Sequence, residues 1–389
     1  MRCLLLVLLA SAHAHAEDVA VGAALGAGGQ GDASYGAMEL RLDAKWRGVH
    51  IGLGGRAVFE GGTFRTREWS RPIDAVTLIR QLEAHLGPVA LAAGALSPSV
   101  LGRVVDGYRA TLDDRARTGA RVALNTGERP AFDLEAIVEI DDVLDPALAG
   151  GALACQLAPA WGLRAATAVD PATSRVAIEL GGARRRERDD SRIELGASIV
   201  GERWLSETPD SPPGGQDPAA MSSHVGVGAV GFASVAFDRA GARWTLDADI
   251  RAGTGTNGAA FGPLYRAERA AILDDTRAGI GSGLAASVSG DRGWLSIGGR
   301  WRPGLGALGT SSVGAPMGSR WQAAAWIAAS PRAIAGAGEL RAVWATHLST
   351  SLQLARMYTD AISPMGTSTE TSSLAPAWSA TVWFGVSTR

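Results

Sequence analysis

The chain is almost without cysteine and lysine. It has two cysteines in 389 residues, and Cys3 lies in an apolar N-terminal stretch, so Cys155 stands alone in the remainder. An intrachain disulfide framework is thereby excluded. Lys45 is the only lysine, and the 37 basic residues set against 39 acidic ones leave a net charge of −2. No basic stripe suited to nucleic acid results. Histidine is scarce: His50, His85, His224 and His347 fall in separate segments, and none has a partner at the spacing of a metal-binding helix. No metal or cofactor is expected. Beyond Ala10 no run reaches the roughly 20 apolar residues of a membrane-spanning helix. Leu-rich periodic stretches of helical length are missing too, which argues against a helical enzyme.

Glycine, by contrast, is plentiful at 51 residues, and 46% of the chain is apolar against 20% charged. Met1-Arg2-Cys3, the apolar run Leu4 to Ala10 and the small-residue sites around Ala14 and Ala16 read as a secretory leader over residues 1–16. Residues 17–389 then form one domain. Through most of it, apolar and polar residues alternate with period two over about ten residues, the length of a tilted transmembrane strand. In Phe132 to Ile140, Phe132, Leu134, Ala136, Val138 and Ile140 share one face, and Asp133, Glu135 and Glu139 the other. A helix would scatter those charges around its circumference. Trp244, Leu246, Ala248 and Ile250 oppose Arg243, Asp247, Asp249 and Arg251 in the same way, as Met38, Leu40, Leu42, Ala44 and Trp46 oppose Glu39, Arg41, Asp43 and Lys45.

This pattern predicts about eighteen strands. They fall near residues 19–27, 35–46, 49–60, 74–85, 89–96, 117–125, 132–140, 149–158, 161–169, 175–186, 192–201, 223–237, 243–252, 277–288, 294–301, 320–329, 336–357 and 376–387. A split of the long 336–357 segment would change the count. The links alternate between tight turns, such as Arg47-Gly48, Gly87-Pro88, Pro159-Ala160 and Ser330 to Ala333, and longer loops at 61–73, 97–116, 202–222, 253–276, 302–319 and 358–375. On the apolar face, Trp46, Phe132, Phe237, Trp244 and Trp161 lie beside the tight turns. Phe59, Trp301 and Trp321 are assigned to the opposite ends. Two belts of amphipathic rings suit two headgroup layers.

In these respects the sequence resembles the outer-membrane β-barrels of Gram-negative bacteria, by pattern and without a shared motif. The resemblance implies a single closed antiparallel all-β barrel, with short turns and both termini in the periplasm. It also implies lipid as the outer environment and the barrel assembly machinery as a partner. Trp383-Phe384 near the C-terminus stand where such barrels often end on an aromatic residue, although Gly385 to Arg389 follow here. The size resembles that of sugar-specific porins and of barrels that pass secreted polysaccharide.

The inward set is otherwise small, for example Gly22, Ala24, Gly52, Gly54, Gly94, Gly226, Gly228, Gly281 and Gly283. Such a wall cannot fill its own interior, so an aqueous lumen follows unless loops plug it. Pore-lining charges are expected at Glu39, Arg41, Asp43, Arg56, Arg121, Asp133, Glu135, Glu139, Arg164, Glu179, Arg243, Asp247, Asp249, Arg251, Arg300 and Arg341. Their near balance points to a neutral or weakly charged hydrophilic, saccharide-like cargo. The 97–116 segment, with Arg103, Asp106, Tyr108, Arg109, Asp113 and Asp114, either covers the outer mouth or folds inward as a constriction. Few aromatics point inward, chiefly Tyr35, Phe232, Trp326 and Trp383. That scarcity favours a wide conduit exporting polysaccharide, with a periplasmic export partner, over a general diffusion or sugar-uptake porin. A closed structural or lipase-like barrel ranks third, and no convincing Ser–His pair supports catalysis.

Overall fold

The computed structural model describes residues 18–30, 33–46, 48–64, 78–94, 99–108, 118–126, 131–142, 145–171, 174–188, 190–207, 221–254, 261–265, 268, 272, 278–345, 348–358 and 374–387. The leader assigned to residues 1–16 lies outside them. The strands begin with β1 (Asp18–Gln30), β2 (Ala33–Trp46), β3 (Val49–Glu60), β4 (Thr63–Phe64), β5 (Ile79–Leu86), β6 (Val89–Gly94), β7 (Ser99–Leu101) and β8 (Val105–Tyr108). Next come β9 (Thr118–Asn125), β10 (Ala131–Asp142), β11 (Asp145–Ala158), β12 (Trp161–Asp170), β13 (Arg175–Arg188), β14 (Ser191–Glu207), β15 (Met221–Arg239) and β16 (Ala242–Gly253). The series ends with β17 (Gly279–Gly290), β18 (Gly293–Arg302), β19 (Gly306–Met317), β20 (Trp321–Ala329), β21 (Ile334–Ala345), β22 (Leu348–Tyr358) and β23 (Leu374–Ser387).

Each barrel strand pairs antiparallel with its neighbours, and β1 pairs with β23 from Ala20↔Ser387 to Gln30↔Ala377, which closes the sheet. β4 is a two-residue extension beside β3, and β7 with β8 forms a separate hairpin. The remaining 20 strands make the barrel. Closure leaves no unpaired edge, the condition for a sheet surrounded by lipid.

The polarity is inside-out. Leu40, Leu180, Ile199 and Leu284 are 66%, 61%, 65% and 66% exposed on the outer face, whereas Arg175 and Glu179 on the inner face are wholly buried. Water would penalise such an apolar exterior; hydrocarbon does not. Trp46, Trp161 and the stacked pair Phe237–Trp244 ring the short-turn end. The T-shaped pair Trp321–Trp344 joins them, and Trp344 donates to the Thr350 hydroxyl at 3.0 Å.

Two sequence expectations are corrected. Residues 302–319, read as a loop, contain β19, and residues 336–357, read as one strand, are β21 and β22, so the barrel has 20 strands where about eighteen were expected. β19 carries Gly306, Gly309 and Gly314 with a run of Thr and Ser, which blurs its alternation. The added strands reverse the sidedness of what lies between them. Trp321 therefore opens β20 at the short-turn end, and the Ser330–Ala333 turn lies at the long-loop end.

Candidate functional site: a constriction inside the barrel

On the inner faces of β11 to β15, the alternation turns apolar: Leu148, Ala166, Ala168, Ala177, Val200 and Val230 are all buried. They are covered from within the lumen by Leu101, Val104 and Val105 of the β7–β8 hairpin and by Phe261, Tyr265 and Ile272 of the segment that follows β16. The two insertions also join each other, through the Phe261 amide donating to the Val104 carbonyl at 2.8 Å. The hairpin turn needs a glycine. Gly102 has φ +55°, and a Cβ there would lie 2.7 Å from both the Ala166 methyl and the Glu179 Oε2.

Polar anchors fix the insertions. The Arg103 amide donates to Glu179 at 2.6 Å, and Glu179 also accepts from Arg164 at 3.0 Å and from the Ser198 hydroxyl at 2.6 Å. A carboxylate this buried is tolerated because donors surround it. Farther toward the long-loop end, the Tyr265 hydroxyl donates to Asp170 at 2.9 Å. The Arg175 guanidinium lies 4.8 Å from the centroid of Phe261 and 5.1 Å from that of Tyr265, and bonds Glu202 at 2.6 Å. Across the lumen, Arg302 holds Glu268, and Leu264 packs against Leu308, Ala328 and Ala335. The second insertion thus spans from β12–β13 to β18–β21.

Beside the insertions lies a cavity of about 520 Å³, lined by Arg103, Arg164, Arg251 and Arg300, by Asp247 and Asp249, and by Ser296, Thr310, Ser312 and Trp326. Phe232 orders its cationic side, because the guanidinium groups of Arg103 and Arg164 each lie 4.3 Å from its ring centroid. Asp249 bonds Arg251 at 2.9 Å and Arg300 at 3.4 Å. The four guanidinium groups outnumber the carboxylates of Asp247, Asp249 and Glu179.

The structure gathers Arg164, Glu179, Asp247, Asp249, Arg251, Arg300 and Arg103 at this constriction. Other expected lining residues lie elsewhere on the wall. Arg41 pairs with Asp43 at 2.9 Å and Arg121 with Glu135 at 2.7 Å, Glu39 lies beside Arg41 on β2, Arg243 is 3.7 Å from Asp238, and Arg341 lines a separate cavity. Arg56, Asp133, Glu139, Asp106 and Tyr108 belong to described strands, but their side chains lie outside the described residues, as do Arg109, Asp113 and Asp114 entirely. Tyr265 and Arg302 were missed in the sequence, since a short segment around Phe261 carries no period that fixes which of its side chains reach the wall. Trp294 was missed although it has inward parity on its strand, and Trp204 because residues 202–222 were read as a loop whereas β14 runs to Glu207.

A closed antiparallel barrel with an apolar exterior and chain inserted into its interior has the architecture of the outer-membrane β-barrel class. No protein-family model and no curated protein matches the chain. Among solved structures it is similar to OccK8 (OprE) of Pseudomonas aeruginosa, at 10% identity and a TM-score of 0.37 over 96% of this chain and 98% of that one. OccK2 (OpdF) of the same organism, in complex with glucuronate, is similar at 11% identity and 0.36 over 96% and 99%. OpdK with vanillate is similar at 10% and 0.36 over 95% and 98%. Likenesses this distant transfer neither substrate nor residue roles.

Proposed function

We propose that the chain is an outer-membrane channel for passive diffusion of small hydrophilic solutes, with its short turns in the periplasm. One observation carries this reading: two segments of the chain fold into the lumen and leave a cavity of about 520 Å³ ringed by charged side chains. That volume falls in the range of small-molecule sites. The wide conduit that polysaccharide export would require is disfavoured by the same insertions. The excess of arginine over carboxylate at the constriction supports a weak preference for anionic solutes.

Reconstitution of the purified barrel into planar lipid bilayers tests the reading. Small, discrete conductance steps with mild anion preference are expected, together with entry of monosaccharide-sized solutes and exclusion of long oligosaccharides in liposome swelling. Passage of long polysaccharide through the intact barrel, or absence of any conductance, would overturn it.

A further inference from the structure

A second cavity, of about 410 Å³, opens at the short-turn end, next to the charged constriction. Strand register sets its floor. Trp294 pairs with Gly314, Gly314 with Ala324, and Ala324 with Glu339, so these four residues form one row across β18, β19, β20 and β21. The middle of the row carries only a hydrogen and a methyl group. A Cβ at Gly314 would lie 2.6 Å from Nε1 and 2.7 Å from Cε2 of Trp294, so the indole rests over the glycine in space that any larger residue would occupy. Trp294 is 44% exposed and lines the cavity.

Glu339 projects from β21 two strands from Gly314, roughly 10 Å away. Arg341 follows it, opposite Gln322 on β20. Most charged groups on the inner wall are matched, as in Arg41–Asp43, Arg121–Glu135, Arg164–Glu179 and Arg251–Asp249. Gln322, Glu339 and Arg341 differ: among the described residues none of their side chains makes a hydrogen bond or ion pair, and all three border the cavity. An open aromatic face with a free amide, carboxylate and guanidinium around it is a surface with its partners still to come.

We propose that this cavity is a binding subsite for a pyranose sugar, which stacks on Trp294 after clearing the constriction. The proposal rests on the small-solute channel reading and names one solute class for it. A pyranose has an apolar C–H face, matched by the indole, and a rim of hydroxyls that both donate and accept, matched by the carboxylate, the amide and the guanidinium. An aromatic carboxylate would set its charge against Glu339 and Asp291, and a cation would meet Arg341. The subsite adjoins the constriction, since both cavities are lined by β18, β19 and β20, and Ser296 and Ser312, 2.6 Å apart, lie between Trp294 and Arg300 along the shared wall.

Calorimetric titration of the folded barrel in detergent, with maltose and with benzoate as probes, tests the assignment without requiring current. Maltose is expected to bind, and Trp294→Ala to weaken it by about tenfold or more. Gly314→Val, which displaces the indole, should do the same, while Trp294→Phe and the outer-face control Trp344→Phe bind within about threefold of wild type. Heat-modifiable gel migration verifies that each variant forms a barrel. Absence of maltose binding, equal binding by Trp294→Ala, or tighter Trp294-dependent binding of benzoate would each overturn the subsite. Conductance recorded on the same preparation separates the two readings. A conducting barrel that ignores maltose removes only the subsite, and a non-conducting barrel that binds maltose through Trp294 removes only the channel.

Discussion

Arg302 on β18 grips Glu268 of the second insertion with two parallel hydrogen bonds, of 2.6 and 2.9 Å, inside the lumen. This bidentate pair fastens the far end of a segment whose near end is held by Tyr265 and Asp170. Removing one partner of such a buried pair costs about 3 to 5 kcal/mol. Glu268→Ala is expected to release that end and raise single-channel conductance severalfold while the barrel remains heat-modifiable. Unchanged conductance would show that the pair does not set the calibre.

Gly102→Ala attacks the other insertion. It combines a left-handed backbone, costing about 1 to 2 kcal/mol for a residue with a Cβ, with a collision against Ala166 and the Glu179 carboxylate. Conductance should rise, with noisier open-channel current as the hairpin leaves its seat.

Asp249 bridges Arg251 and Arg300. Asp249→Asn removes the carboxylate and leaves two guanidinium groups facing the constriction, so the reversal potential in a salt gradient should move toward greater anion selectivity. Movement toward cations would contradict the placement of these groups in the permeation path.

Phe232 spaces Arg103 and Arg164, and each cation–π contact contributes about 0.5 to 2 kcal/mol. Phe232→Leu is expected to weaken anion selectivity by letting both arginines move, with little effect on barrel stability.

Leu284 faces outward near the middle of β17, and Ser287 faces inward on the same strand. Leu284→Arg should destabilise the barrel by roughly 2 to 4 kcal/mol and Ser287→Arg by much less, measured as urea midpoints in lipid vesicles. Equal midpoints would reverse the assigned faces.

Period-two alternation made the barrel legible, because lipid outside and water inside impose opposite demands on successive residues. Leu246 and Asp247 can be sorted at sight. The alternation fails where both faces carry small residues, so β19 was read as a loop and the strand parity after it was inverted. The constriction was half legible. Its wall residues Arg164, Glu179, Asp249 and Arg300 follow from parity, but nothing local states that Arg103 meets Phe232, a contact between distant parts of the chain. A stronger signal was available in Leu148, Val200 and Val230, apolar residues at inward positions, which need a cover inside an aqueous pore. Trp294 shows the same limit at the scale of one ring, since its use as a platform depends on Gly314 across the strand boundary.

The seating of the β7–β8 hairpin sets an order of events in the making of the pore. The Arg103 amide meets a carboxylate 76 residues later in the chain, and Tyr265 reaches back 95 residues to Asp170. Contacts of such span form late, because the entropy of closing long loops must be met first. A newly made chain therefore builds the β7–β8 hairpin before the strand that holds it, and the second insertion after β12 and β13. Strand pairing alone would leave the interior wider, and its narrowing depends on contacts that the strand ladders do not supply.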